Sequence, residues 1–154
     1  MNRPRPLTLL ALLVAGLVAG AVLADMQAED PFAFTGARSE TERLMGYYET
    51  IELTPEQEAV RVAALEPMPA ACCKEFSAAT CCCECNLSRA TWGLAKFAIA
   101  TLGYDVEQVR DAVTRYHASV APAGSEGHSC STGRCGLSFS AGGCGGMSPA
   151  HLAD

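Results

Sequence analysis

The sequence predicts a mainly α protein, a small three- to four-helix bundle with a Gly/Ser/Cys-rich C-terminal tail. Three observations carry that expectation. Thr54 with Gln57 and Asp105 with Gln108 each form a capping pattern at the start of an apolar-periodic run. Trp92, Ala95, Ile99 and Leu102 repeat at helical spacing, as do Val106, Val109, Val113, Tyr116 and Val120. From Pro122 onward the chain holds little that could be buried.

The elements follow in chain order. Arg3 and Arg5 precede an apolar run from Leu7 to Leu23, and Val22 and Ala24 occupy the small-residue recognition positions. This pattern predicts a signal peptide over 1–24, cleaved before Asp25, and hence export to a periplasmic or extracellular space. An uncleaved N-terminal anchor is the alternative, since the run is near the roughly 18-residue length of a spanning helix. Nothing after residue 24 is long or apolar enough to span a bilayer. Residues 25–38 have no clear period and read as a leader, and 39–121 read as one helical Cys-rich domain.

Within that domain, Leu44, Met45, Tyr47 and Tyr48 suggest a short helix over 39–48. The next helix opens at Thr54 with Pro55 in its first position, and Glu56 and Glu58 favour the positive end of its dipole. Ala59, Val62 and Leu65 are its expected apolar stripe, and Pro67 and Pro69 stop it. The core helix begins at Asn86 or Ser88 and runs to Leu102, apolar nearly all round, with Trp92 as core anchor. Gly103 ends it and Asp105 caps the last helix, whose wet side carries Glu107, Arg110, Asp111 and Arg115. The short connection between these two helices favours an antiparallel pair. The tail over 122–154 is flexible in composition unless its cysteines or His128 tie it down.

Charge excludes some partners. The chain carries a formal −6, and −8 once Arg3 and Arg5 are removed with the signal. Such a balance repels phosphate, so nucleic acid is not expected as a partner, nor an anionic membrane surface. There is no Ser-His-Asp arrangement, no phosphate-binding glycine loop before a helix, and no carboxylate pair in a catalytic setting. His117, at a helix end, and His151, in the tail, read as solvated side chains.

The chemistry therefore rests on the nine cysteines. Six lie between Cys72 and Cys85 (Cys72, Cys73, Cys81, Cys82, Cys83, Cys85), and three lie in the tail (Cys130, Cys135, Cys144). If residues 81–85 form the first turn of a helix, Cys81 and Cys85 share a face and the helix-start amides stabilise their thiolates. Three readings compete. A disulfide framework is the plainest, but an odd count leaves one thiol over, and adjacent cysteines rarely bridge each other. Metal binding uses the crowding directly. Cys-Cys and Cys-x-Cys spacings let thiolates share a soft ion, with His128 as a further ligand; copper or zinc ranks above an iron–sulfur centre in an exported chain. Thiol–disulfide exchange through Cys82-x-x-Cys85 with a thiol-containing partner protein is the third, and would make the protein an oxidoreductase.

Two resemblances bear on these residues. The core 83-CEC-85 of 81-CCCEC-85 resembles the exported bacterial proteins named for a Pro-Cys-Tyr-Cys-Gly-Cys motif, although the proline, tyrosine and glycine are absent. That resemblance implies a metal or redox role. Residues 82-CCECNLS-88 and 103-GYDVEQVRDAVTRY-116 resemble the thiol domain that handles apocytochrome in bacterial cytochrome c maturation. This second resemblance covers Cys82 to Tyr116 and implies a three-helix bundle with Cys82 and Cys85 as exchanging thiols. The intervening helix is shorter here, and Cys72, Cys73, Cys81 and Cys83 lie outside that pattern. The expectation ranked first is an exported protein that binds or delivers copper or zinc through clustered thiolates. Thiol exchange in exported-protein or cytochrome assembly comes second, and a disulfide-stapled structural or interaction module third.

Overall fold

In a computed structural model of the chain, the structure describes residues 31–71, 73–81, 83–120, 136–141 and 143–152. The compact unit is Phe32–Asp154. In order, its elements are helix α1 (Ala37–Thr50), helix α2 (Pro55–Leu65), strand β1 (Pro69–Ala70), strand β2 (Cys73–Ser77), helix α3 (Asn86–Ala100) and helix α4 (Val106–Val120). A short 3-10 turn, Pro149–Leu152, follows in the tail. The four α-helices among the described residues make this a small, mainly helical bundle. The expected signal peptide falls outside the described residues.

The capping patterns do what their residue types allow. Thr54 Oγ1 accepts from Gln57 N at 3.3 Å while Gln57 Oε1 accepts from Thr54 N at 3.1 Å. Two donors at the start of α2 that lack helical partners are thereby satisfied. The same reciprocity closes α4: Gln108 N donates to Asp105 Oδ1 at 2.9 Å, and Asp105 N donates to Gln108 Oε1 at 3.0 Å. Between α3 and α4, Gly103 adopts a φ of 70° and Tyr104 N reaches back to Ala98 O at 3.0 Å.

α3 is the core helix. Leu87, Ala90, Leu94, Ala95, Ala98 and Ile99 are buried along it, facing Leu44 and Met45 of α1, Leu65 of α2 and Val109, Val113 and Tyr116 of α4 within one cluster. Burying an aliphatic or aromatic side chain of this size contributes about 1.5–3 kcal/mol, so the cluster is the main favourable term of the fold. Contact is most extensive between α1 and α3, and Gly93 explains why. A Cβ there would lie 1.8 Å from Leu44 O, so only a glycine lets the two backbones approach this closely.

Several sequence expectations shift. The buried side of α2 is Ala64 and Leu65, with Val60 packed behind them. Val62 is 40% exposed and Ala59 is also exposed, so the stripe lies to one side of the expected line. α3 stops at Ala100 rather than Leu102. Trp92 is only half-buried and packs on the margin of the core. Residues 69–77 form a β-hairpin that no sequence pattern announced, with Ala70 opposite Cys73 and Pro69 opposite Ser77. Phe32 and Phe34, in the stretch read as a leader, pack into the core. Phe32 meets Phe97 and Tyr104 edge-on at 6.0 and 6.2 Å, and Phe34 lies 5.4 Å from the Tyr116 ring.

Candidate functional site

The hairpin and the turn after it deliver the cysteine cluster to the start of α3. Ala78 N donates to Met68 O at 2.8 Å, and Trp92 Nε1 donates to Ala78 O at the same distance. Ser77 Oγ accepts from Ala79 N at 2.9 Å and donates to Glu66 Oε2 at 2.9 Å. These bonds tie the turn to α2 on one side and to α3 on the other. The chain then enters Cys81 with its direction already set.

The cluster precedes the helix instead of forming its first turn. α3 starts at Asn86, Cys85 is its N-cap with extended backbone, and Cys81 and Cys83 lie in the non-helical approach. The expected shared helical face of Cys81 and Cys85 is therefore not formed. Cys81 and Cys83 are half-buried, whereas Cys85 is fully buried with its Sγ 3.3 Å from Ser88 Oγ. Glu84 points outward and pairs loosely with Arg89, at 3.7 Å.

The helix-start amides are also occupied otherwise than expected. The tail returns to them: Asn86 N donates to Gly146 O at 2.9 Å and Leu87 N donates to Cys144 O at 3.2 Å. The Asn86 side chain completes the clasp, its Nδ2 donating to Gly145 O at 2.6 Å and Ser148 O at 2.7 Å. Four donors of one helix entrance thus bind carbonyls within five tail residues. Two of the amides expected to stabilise thiolates are spent on backbone carbonyls instead. Asn86 itself is fully buried, and its Oδ1 has no hydrogen-bond partner among the described residues.

Backbone conformation makes the clasp specific to glycine. Gly145 and Gly146 both have φ of 77°, a region that side chains with a Cβ avoid. A Cβ on Gly146 would lie 2.3 Å from His151 Nδ1 and one on Gly145 2.7 Å from the Phe139 ring. Leu152 is buried beneath the segment, and Cys144 is 2% exposed. His151 is exposed but not simply solvated, because its Nδ1 accepts from Met147 N at 3.3 Å.

Two side chains of α4 lie near the same end of α3. Thr91 Oγ1 donates to Leu87 O at 2.8 Å, so its contact with His117 Nε2 at 2.8 Å must have the histidine as donor. The imidazole then carries a proton on Nε2. Burial pushes its pKa down to about 4. The expectation of a solvated His117 is thus corrected: α4 turns its ring onto α3. Next to it, Tyr116 is fully buried with its hydroxyl 2.8 Å from Thr41 Oγ1, and burial raises its pKa.

Cys85 and Cys144 belong to the buried core cluster of the bundle, and Cys83 packs against it. Cys73 does not. It is a free thiol buried on the inward side of β2. Cys72, Cys82, His128, Cys130 and Cys135 lie outside the described residues. Among the described residues no group of three or more His, Cys, Asp or Glu side chains is arranged to hold a metal ion, and no helix is long and apolar enough to cross a membrane. Sequence reasoning missed Asn86 as the clasp, having weighed it only as a cap. The available signal was the 142-GGCGGM-147 stretch, whose glycines flank a cysteine and suit backbone close to another segment. Compared with protein-family models, curated proteins and solved structures, the chain matches none.

Proposed function

We propose that this protein binds or delivers a soft metal ion, copper or zinc, through thiolates gathered at the entrance of α3. The observation that carries the reading is the clasp. Backbone and Asn86 bonds hold tail residues 144–148 on the helix entrance that Cys85 caps, so one cysteine of each group, more than fifty residues apart in sequence, comes to the same end of the bundle. Thiolates in so dry a place require a compensating positive charge, and a soft cation supplies it. Cys81, Cys82, Cys130 and Cys135 are the further ligands that chain connectivity offers, followed by Cys72 and His128.

Thiol–disulfide exchange through Cys82 and Cys85 is the second reading. An attacking thiol needs exposure and a lowered pKa. Cys85 is fully buried, and the adjacent amides are engaged by the tail. For those reasons metal binding is placed first.

The test is elemental analysis of protein purified under reducing conditions, followed by titration with Cu(I) and Zn(II). A stoichiometric ion is expected, lost in the Cys82→Ser/Cys85→Ser double variant. Neither bound metal nor uptake on titration would remove the proposal. A mixed disulfide trapped with a partner in the Cys82→Ser or Cys85→Ser single variant would favour exchange instead.

A further inference from the structure

A cleft of about 240 Å3 opens between α1, α2 and α3, lined by Tyr48, Glu58, Arg61, Ala79, Trp92 and Lys96. It shares no residue with the thiol site. One wall is aromatic: the Tyr48 and Trp92 rings lie 5.6 Å apart, tilted at 46° to each other, and the single polar side-chain atom of Trp92 already donates to Ala78 O. The other wall is charged. Arg61 grips Glu58 through two nitrogens, with Nε to Oε2 at 2.9 Å. That grip, with a smaller contribution from Lys96, holds the Glu58 carboxyl below its usual range. Glu58 is therefore an ionised group already committed to Arg61.

Lys96 is differently placed. Its Nζ donates to Tyr48 O at 2.8 Å and lies 4.8 Å from the centroid of the Tyr48 ring. An ammonium has three N–H donors, so two remain after that bond. No carboxylate pairs with Lys96 among the described residues, unlike Arg38, Arg43, Arg61, Arg89, Arg110 and Arg115. A half-buried cation with donors to spare thus stands over the Tyr48 ring, in a cleft that Trp92 also lines. The volume corresponds to roughly eight waters, below the ~300 Å3 typical of sites for larger ligands. One ring with a short charged arm fills such a space.

We propose that this cleft binds a small ring-bearing carboxylate, its ring against Trp92 and Tyr48 and its carboxylate on Lys96. Trp92 is the only tryptophan in the chain, so the tryptophan emission comes from a residue that lines this cleft. Titration of the full chain with phenylacetate is expected to change that emission saturably. Lys96→Met should weaken phenylacetate binding about tenfold or more, the scale of one charge-assisted hydrogen bond, and Lys96→Arg should restore most of the affinity. Neutral phenylacetamide should bind no better to the parent protein than phenylacetate binds to Lys96→Met. Far-ultraviolet circular dichroism of each variant, and the indole N–H resonance as a second readout, separate loss of binding from loss of fold. A linear, non-saturable response, or equal affinity for phenylacetamide and phenylacetate, would overturn the proposal.

Discussion

Asn86 does more than any other single residue to shape the candidate site. Its side-chain amide holds two tail carbonyls and its backbone N–H a third. Asn86→Ala strips the carbonyls of Gly145 and Ser148 of their donor in a buried place. The expected cost is about 2–4 kcal/mol, on the scale of leaving two buried acceptors unsatisfied, read as a lower denaturation midpoint with faster exchange of the tail amides. Unchanged tail exchange would mean that the clasp does not hold the tail. His117 makes a separate prediction. Its pKa is near 4 in the fold against 6.5 for the free side chain, so the unfolded chain takes up the proton first. The stability it contributes is fully present above pH 6.5 and is lost as the pH falls toward 4. At most about 3 kcal/mol is at stake. The ring should titrate near pH 4 by NMR, and His117→Gln should flatten the stability profile over this interval.

At the scale of elements, the helices divide by what makes them form. α2 and α4 are locally specified: each carries its own capping box, and Thr54→Ala should cost about 1 kcal/mol by chemical denaturation. α3 depends on its neighbours. Gly93 sits where α1 crosses it, and Gly93→Ala would place a methyl 1.8 Å from Leu44 O. Forcing two backbones apart costs about 1–3 kcal/mol or more in a packed core, so a larger loss is expected here than from Thr54→Ala. Both boxes, Thr54–Gln57 and Asp105–Gln108, were legible in the sequence because capping depends on residues three apart. The stripe of α2 was misplaced because Val62 and Val60 are equally apolar, and only the position of α4 and α3 decides which one faces inward. The hairpin over 69–77 was illegible for a related reason. Two residues of strand, one of them a proline, carry too short a pattern to separate from loop, and tertiary contacts with Met68 and Ala78 make the pairing.

For the whole molecule, the question is what joins the tail to the bundle. Among the described residues the joining bonds are two from backbone amides of α3 and two from the Asn86 side chain, all to backbone carbonyls between residues 144 and 148. Gly146→Ala tests this arrangement directly, since any side chain there meets both an unfavourable φ and the His151 ring. Under reducing conditions, Cys85 and Cys144 in the parent protein should alkylate far more slowly than Cys81, and Gly146→Ala should raise their rates together. Rates that rise for Cys144 alone would show that the tail does not cover Cys85.

The sequence by itself determined the helical class, the two capped helices, the apolar core helix and the division of cysteines into two groups. Each of these depends on residue type and on neighbours within a turn or two. What only the tertiary structure decided is where the groups meet. The helix begins after Cys85 and not at Cys81, because the donors at its entrance are satisfied by the returning tail and not by the cysteines. Pairing between residues some sixty positions apart has no local period to announce it; it exists only once α3 is packed and its entrance amides have a fixed place for the glycine carbonyls to reach.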